Sequence, residues 1–315
     1  MLSKLINSLK KIFAFEIEKL FLKEKKQLLE HINKVTYYQT ILISQYMIQE
    51  IKKKKDIKNL YDAEFKAFSQ MGEDGIIQFL INNIEISSSR FVEFGVEDYT
   101  ESNTRYLLMN NNWEGLVFDS SPANVDKINS RDYAWRHTLL AKPFYVTRDN
   151  INSIISESGF SGKIGILSID LDGNDFWIWQ AINVVDPDIV ICEYNSVFGD
   201  ERLVSTPYIE DFNVSKYHYS NLCFGASLRA LIYLAESKGY SFVGSNSGGT
   251  NAFFVRNDKL KNISYLLDSA CYVKSKSRSS RNVNGELTFV HDEHRLDLIR
   301  GCDVVNVVTM EIEKI

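Results

Sequence analysis

The stretch at positions 90–108, RFVEFGVEDYTESNTRYLL, constrains the fold more than any other part of the chain. It begins with an apolar run typical of a buried strand, breaks at Gly95 and resumes with the apolar spacing of a helix. Gly95 permits a backbone turn that a side chain would obstruct, and Ser102 or Asn103 can cap the helix that follows. Strand, turn and helix in this order predict a ligand site, because the amides at a helix N-terminus bind the anionic groups of nucleotides.

Seven segments of the chain predict strands, and helical patterns separate most of them. Apolar residues at helical spacing indicate helices near positions 151–155 and 226–237. A turn through Gly248 and Gly249 joins the last two candidate strands as a hairpin. The alternation predicts an α/β fold with a mostly parallel seven-stranded sheet that ends in an antiparallel hairpin. The candidate strands lie at 91–94, 115–119, 143–147, 164–169, 189–192, 240–244 and 251–256.

Acidic and amide side chains lie at the ends of several candidate strands. Asp119 follows Glu93 by about 25 residues, a spacing with which Rossmann-type proteins hold ribose hydroxyls. Because the carboxyl ends of parallel strands meet at one edge of a sheet, we expect these groups to converge on one site. The converging groups are Glu93, Asp119, Asp170, Asp172, Glu193 and Asn195.

Six motifs occur in order between residues 65 and 260. They are SQMGEDGII, FVEFGVEDYTESNT, LSIDLDGNDFWIW, ICEYN, GASLRAL and KGYSFVGSNSGGTNAFFVR. Together they resemble the FkbM-type and related bacterial S-adenosylmethionine-dependent methyltransferases. The resemblance implies a Rossmann-like class I methyltransferase fold, S-adenosyl-L-methionine as cofactor, and O-methylation of a sugar or glycan-linked hydroxyl acceptor.

The resemblance also implies roles for individual residues. Glu93 and Gly95 would face the amino-acid part of the cofactor, and Asp119 would bind its ribose hydroxyls. The family usually has glycine where this chain has Glu97 and Tyr99, so the departure predicts either a displaced cofactor or a lost cofactor site. The predicted cofactor-binding residues are Gln70, Gly72, Asp74, Glu93, Gly95, Asn103, Thr104, Asp119 and Ser120.

Methyl transfer to a hydroxyl needs a base close to the transferring methyl group. Asp170 and Asp172 are the candidate catalytic carboxylates, and His218 is an alternative base in the aromatic segment after the fifth strand. The same two aspartates, with Glu193 and Asn195, are hard oxygen ligands that could instead hold Mg²⁺ or another divalent cation.

Other interpretations remain open at this stage. Residues 170–172 have the DxD pattern with which glycosyltransferases bind a nucleotide sugar through Mn²⁺ or Mg²⁺. Glu97 and Tyr99 are also compatible with a catalytically inactive methyltransferase-like binding protein. Residues 172–175 can form a turn that caps the next helix. The segment KSKSRSSR, at 274–281, is interpreted as an exposed loop or as a contact for a phosphate-bearing acceptor.

Charge and cysteine content argue against some classes of protein. The 315-residue chain has a net charge of -5, whereas general nucleic-acid binding needs a strongly basic face. Its 4 cysteines lack the spacing of a metal or redox site, which favours reduced thiols in a cytoplasmic protein. No apolar run reaches the length of a membrane span.

The first 60 residues differ from the remainder of the chain. They contain 13 Lys, no Arg and 6 acidic residues, they lack glycine and proline, and their apolar residues recur at helical spacing. We expect a helical extension at 1–60, a methyltransferase domain at 61–260 and a C-terminal extension at 261–315 that packs on the domain. The helix would pack against the domain or a second copy of the chain, form a coiled coil, or lie on the anionic surface of the inner membrane. A second helix that folds back is an alternative for its later half.

Overall fold

The computed structural model describes most of the chain, namely residues 2–54, 57–131 and 133–315, without the side chains of 2–9 and 12. The chain divides into two units, Met1–Gln49 and Glu50–Ile315. Helix α1, Leu2–Lys53, is unbroken and about 78 Å long at the usual rise per residue. The predicted N-terminal helix is therefore confirmed, and the alternative of two helices is wrong.

Helix α1 carries many exposed apolar side chains, including Phe13, Ile17 and Phe21. Exposed apolar sets of this size mark contact surfaces. The contact stays a prediction, with the domain, a second copy of the chain, a coiled-coil partner or an anionic membrane surface as the alternatives. No helix in the part of the chain that the structure describes is long and apolar enough to cross a membrane.

The second unit alternates strands and helices. Its helices are α2 (Glu73–Asn83), α3 (Arg105–Asn111), α4 (Pro122–Asn129), α5 (Ile151–Glu157), α6 (Asp175–Ala181), α7 (Val214–Tyr217), α8 (Leu228–Ser237) and α9 (Glu293–Leu298). Its strands are β1 (Arg90–Phe94), β2 (Glu114–Asp119), β3 (Leu139–Pro143), β4 (Gly162–Ile169), β5 (Val185–Glu193), β6 (Val204–Ser205), β7 (Tyr240–Ser245), β8 (Asn251–Arg256), β9 (Asp303–Asn306) and β10 (Ile312–Lys314). Short 3-10 helices lie at Leu60–Ala63, Ser196–Phe198, Asn257–Asn262 and Ser264–Asp268.

The main sheet has seven strands in the order β3-β2-β1-β4-β5-β8-β7. The first five strands pair in parallel, and β8 lies antiparallel between β5 and β7. This is the Rossmann-like order of the class I methyltransferase fold, so the predicted sheet and its terminal hairpin are confirmed. The strand order reverses between β1 and β4, which opens a ligand crevice at their carboxyl ends.

The central strands are buried because their sequences are nearly continuous apolar runs. In β4, every residue from Ile164 to Ile169 is buried, and β5 is buried from Pro187 to Cys192. Such runs are typical of parallel strands covered on both faces. Helices α5, α6 and α8 contribute to the main core cluster, in which Trp179 is almost fully buried.

The third strand lies four residues earlier than the sequence pattern predicts, at Leu139–Pro143 instead of 143–147. Strand β3 is at the sheet edge, and its register with β2 ends at the pair Asp119 and Pro143. The Phe144 amide donates to the Asp119 carbonyl at 3.1 Å, and Asp119 is the last residue of β2, so the pairing ends there. The apolar residues after Pro143 therefore leave the sheet, and Phe144 instead lines the cavity described below.

The C-terminal residues join the second unit through a small sheet. Strands β9 and β10 pair with each other, and β9 pairs with β6, which gives the order β10-β9-β6. Since β6 lies within the long connection after β5, this sheet ties that connection to residues 303–314.

Candidate active site

A cavity of about 820 Å³ lies at the carboxyl ends of the parallel strands. Its lining includes residues that end or directly follow β1, β2, β4 and β5, and Asn251 at the start of β8. A volume of this size is within the range of sites for cofactors and other small molecules.

Gly95 brings the end of β1 against the end of β4. Its φ angle is 71°, in the left-handed region, and a β-carbon built on it would lie 1.7 Å from the backbone oxygen of Asp170. No side chain fits at that distance, so only glycine permits this approach. Glycine is therefore required at position 95 because the ends of β1 and β4 approach closely there, and residues at both ends line the cavity.

Glu97 and Tyr99 keep the backbone conformation that glycine would favour. Their φ angles are 47° and 61°, both positive. Tyr99 is fully buried, and its hydroxyl shares a hydrogen bond of 2.9 Å with Thr104 Oγ1, so its ring packs in the core instead of the cavity. Glu97 is exposed among the lining residues of the cavity. Tyr99 therefore does not fill the cavity, whereas Glu97 lies at its wall.

Glu93 holds the turn that precedes helix α3. Its Oε1 accepts a hydrogen bond from the Asn103 amide at 2.9 Å, and its Oε2 accepts from the Thr104 amide at 3.2 Å and from the hydroxyls of Ser102 and Thr104. Burial raises the pKa of Glu93, and these hydrogen bonds oppose the rise. Both oxygens are thus engaged within the protein. The N-cap residue of α3 is Thr104, so the cap predicted from Ser102 or Asn103 is wrong, and Glu93 lines the cavity with both oxygens hydrogen-bonded to the turn before the helix.

The segment before α2 contributes less to the cavity than the sequence predicts. Asp74 Oδ2 accepts hydrogen bonds from the amides of residues 67–69 at 2.7–2.8 Å, so this carboxylate holds its own loop. Gly72 is the N-cap of α2 and has a φ of 117°. Neither residue lines the cavity, whereas Gln70 does. Of the predicted residues in this segment, only Gln70 is placed to contact a ligand.

Asp119 retains a free carboxylate oxygen at the end of β2. Its Oδ1 accepts hydrogen bonds from the Ser121 amide at 2.8 Å and from Asn124 Nδ2 at 3.1 Å. Within the described residues, Oδ2 accepts none. Asp119 and Ser120 both line the cavity, beside the ring of Phe144. Asp119 therefore has the free oxygen and the position at the cavity that the predicted binding of ribose hydroxyls requires.

Three carboxylates crowd together at the ends of β4 and β5. One oxygen from each of Asp170, Asp172 and Glu193 lies within 4.8 Å of the other two. Burial, together with the charges of Asp175 and Asp172, raises the pKa of Asp170 well above its usual value. Burial and the charge of Asp170 do the same to the pKa of Glu193, whose Oε2 is buried without a hydrogen-bond partner. The cluster favours a positive counter-charge.

Asp175 provides the turn that the sequence allows at residues 172–175. Its Oδ1 accepts from the Leu171 amide at 2.7 Å, and its Oδ2 accepts from the Gly173 amide at 3.0 Å. Burial raises the pKa of Asp175 to about 6 although these amides oppose it. The turn and the functional interpretation are therefore compatible, because Asp175 shapes the loop while Asp172 stays in the carboxylate cluster.

Two predicted site residues have other partners. The Asn195 side chain accepts from the Val197 amide and donates to the carbonyl oxygens of Leu222 and Phe224, which uses both ends of the amide. Asn195 lines the cavity but is not free to bind a metal. The ring of His218 shares a 2.7 Å hydrogen bond with Ser220 and does not line the cavity, so it is not placed as a base.

Sequence reasoning missed several residues of the cavity wall. Asn221 and Arg295 line it, and Arg281 and serines line it from the 274–281 segment, which the sequence predicts as an exposed loop or a phosphate contact. Some buried polar atoms of lining residues have no hydrogen-bond partner among the described residues: Asn174 Oδ1, Glu193 Oε2, Asn221 Oδ1, Asn251 Oδ1 and Arg295 Nε. Unpaired buried polar atoms are rare in proteins, and their concentration here indicates a polar ligand. Only basic residues within KSKSRSSR gave a sequence signal for this wall.

Burial raises the pKa values of Asp170, Asp175 and Glu193, so we predict that the free energy of unfolding falls with rising pH when divalent cations are chelated. A raised pKa means that the folded protein binds the proton more tightly than the unfolded chain, so stability is greatest at low pH and is lost as the pH rises through the folded pKa. Between about pH 5 and about pH 8, the shift of Asp175 from 3.8 to about 6 accounts for about 1.5 kcal/mol, and Asp170 and Glu193 add to it.

Urea unfolding in EDTA across this pH range measures the effect. The Glu193→Gln variant should show a shallower slope, because one of the repelling carboxylates is gone. Equal slopes for the two proteins would contradict the coupling of these groups.

The chain matches no protein-family model and no curated protein. Among solved structures, 7 chains match. One is TehB from Haemophilus influenzae, with 9% sequence identity and a TM-score of 0.37 over 61% of this chain and 63% of that chain. This chain therefore covers less than two thirds of the TehB chain, and the function has to be argued from the site.

Proposed function

We propose that the protein is an S-adenosylmethionine-dependent O-methyltransferase of a sugar or glycan-linked hydroxyl, assisted by a divalent cation. The observation that carries the proposal is that one cavity has two chemically different parts, which lie on either side of Gly95 at the end of β1. Asp119, with a free oxygen, lies on one side, and the cluster of Asp170, Asp172 and Glu193 lies on the other.

The Asp119 side of the cavity fits a nucleoside. The free oxygen of Asp119 can accept hydrogen bonds from the two ribose hydroxyls. Phe118 and Phe144 pack edge to face with ring centroids 6.1 Å apart, which gives an apolar wall for a base. From β2 to β5 the sheet crosses three strand spacings, or about 14 Å, which suits a ligand extended from its nucleoside to its reacting group.

The other side of the cavity fits the reacting groups. When bound, S-adenosylmethionine supplies an electrophilic methyl group on a positively charged sulfur. The negative cluster at Asp170 and Glu193 would attract that charge and orient an acceptor hydroxyl for in-line attack. Asp170 lines the cavity within this cluster and is the carboxylate placed to take the hydroxyl proton.

The same cluster fits a hard divalent cation such as Mg²⁺. Three carboxylates within 4.8 Å of one another are suitable ligands, and the unpartnered Oε2 of Glu193 has the free lone pairs that a ligand needs. Asp170, Asp172 and Glu193 would hold the ion, which would acidify a nearby hydroxyl. Asn195 is not among the ligands, because its amide is engaged elsewhere.

Paired titrations test the proposal against the two alternatives. S-adenosylhomocysteine should bind the full-length protein with a micromolar dissociation constant in calorimetry, and UDP-sugars with Mn²⁺ should not bind measurably. Binding of the nucleotide sugar alone would favour a glycosyltransferase that uses Asp170 and Asp172. Failure of both ligands would leave a binding protein with a methyltransferase-like fold.

A further inference from the structure

Residues 275–281 form an extended wall along the acceptor side of the cavity. Side chains at odd positions line the cavity, whereas Lys276 and Arg278 do not. Alternation with a period of two is that of extended backbone. The segment KSKSRSSR therefore places serine residues and Arg281 at the cavity, while Lys276 and Arg278 lie outside it. The lining side chains are Ser275, Ser277, Ser279 and Arg281.

Hydrogen bonds hold this wall near the end of β5. The Ser275 amide donates to Ser196 Oγ at 2.9 Å, and Ser196 lies three residues after the end of that strand. Farther along, the Arg281 amide donates to the Ser220 carbonyl at 3.1 Å. The wall is therefore near the carboxylate cluster and three strands away from Asp119, where the nucleoside would bind.

Arg295 adds a second guanidinium to this wall. It is only 6% exposed, and its Nη1 donates to the Ser275 carbonyl at 3.3 Å. Its Nε is buried without a hydrogen-bond partner, and none of the ion pairs among the described residues includes it. Burial lowers the pKa of Arg295, and the neighbouring Tyr272 opposes this shift in part. A buried guanidinium without a counter-ion is costly, so its environment fits an anion from the ligand.

We propose that the acceptor carries a phosphate group, which Arg281, Arg295 and the serine hydroxyls of the wall bind while the nearby hydroxyl is methylated. This inference rests on the proposed methyltransferase function and specifies the substrate class of the same site. The substrate is thus a phosphorylated sugar or a phosphate-linked glycan.

The donor set favours phosphate over carboxylate. The Ser277 hydroxyl donates to Ser279 Oγ, and one nitrogen of each guanidinium donates to a backbone carbonyl. The remaining guanidinium donors and the hydroxyls of Ser275 and Ser279 still exceed what the two oxygens of a carboxylate can accept, whereas phosphate offers three or more oxygens. Guanidinium groups also match the geometry of phosphate oxygens through paired hydrogen bonds. Beside the wall, the unpartnered Oδ1 of Asn221 can accept from a sugar hydroxyl. One end of the acceptor would thus be anionic and the other hydroxylated.

Calorimetric titration of the full-length protein with inorganic phosphate, and separately with acetate at equal ionic strength, tests the inference. Phosphate should bind at least 10-fold more tightly than acetate. Arg295→Met and Arg281→Met should each weaken phosphate binding about 10-fold or more, because each removes a charge-assisted hydrogen bond. Arg278→Met is the matched control, since it removes an exposed arginine of the same segment that does not line the cavity.

A parallel titration with S-adenosylhomocysteine separates this inference from the proposed function. All three variants should bind that ligand within about 2-fold of the unmodified protein, and phosphate should not compete with it. No binding of phosphate, tighter binding of acetate, or equal weakening by Arg278→Met would overturn the phosphate site. Competition between the two ligands would also overturn it, because the wall would then hold the carboxylate of the cofactor. Arg281→Met remains informative if Arg295→Met fails to fold.

Discussion

The Asp170→Asn variant is expected to bind Mn²⁺ at least about 100-fold more weakly than the unmodified protein and to lose methyl transfer. Removing even an outer contact of a metal ligand typically costs 10- to 100-fold in affinity, so a ligand itself should cost at least as much. Isothermal calorimetry with Mn²⁺ measures this without knowledge of the acceptor. Asparagine keeps the shape of the side chain and removes only the charge.

The melting temperature of Asp170→Asn distinguishes the loss of a cation ligand from damage to the fold. Because burial and neighbouring carboxylates raise the pKa of Asp170, its replacement by a neutral amide should leave the melting temperature unchanged or raise it. Asp126→Asn, at an exposed position of α4, is the control for a neutralised carboxylate outside the cavity. Unchanged Mn²⁺ binding in Asp170→Asn, or equal losses in both variants, would show that the cluster is not a cation site.

The second large effect is expected at Asp119. Replacement by asparagine should weaken the binding of S-adenosylhomocysteine about 50-fold, since charge-assisted hydrogen bonds to two hydroxyls contribute about 1.5–3 kcal/mol each. Asparagine retains an oxygen for the Ser121 amide, so the loop after β2 should keep its conformation. The affinity is measured by calorimetry at one salt concentration.

Glu114→Gln is the matched control for this change. Glu114 is the first residue of β2 and lies at the opposite end of the strand from Asp119. It forms a surface ion pair with Arg90, in which Arg90 Nε and Glu114 Oε2 are 3.7 Å apart. Its neutralisation should leave the affinity for S-adenosylhomocysteine unchanged. A loss of less than about 3-fold in Asp119→Asn would mean that the ribose does not bind at β2.

The sequence predicted the sheet well because each strand has a local signal. The apolar runs of β4 and β5 and the turn at Gly248 and Gly249 depend on neighbouring residues alone, and these elements are confirmed. Strand β3 was misplaced because it is a partly exposed edge strand, and the more apolar residues after it belong to the cavity.

The acids of the site were harder to assign than the strands. Glu93 and Asp119 give the same signal at a strand end, yet Glu93 uses both oxygens to hold the turn before α3 and Asp119 keeps one oxygen free. The difference depends on whether backbone amides turn back toward the carboxylate, which sequence does not reveal. Arg295 gave no signal, because it reaches the cavity from α9, over 100 residues after Glu193.

A crystal structure with S-adenosylhomocysteine tests the central claim most directly. The ribose hydroxyls should lie within hydrogen-bond distance of Asp119, and the sulfur should point toward Asp170 and Glu193, with the wall containing Arg295 unoccupied by the ligand. Adenosine bound away from β2, or the side chain of Glu97 in the space beside Gly95, would contradict the account.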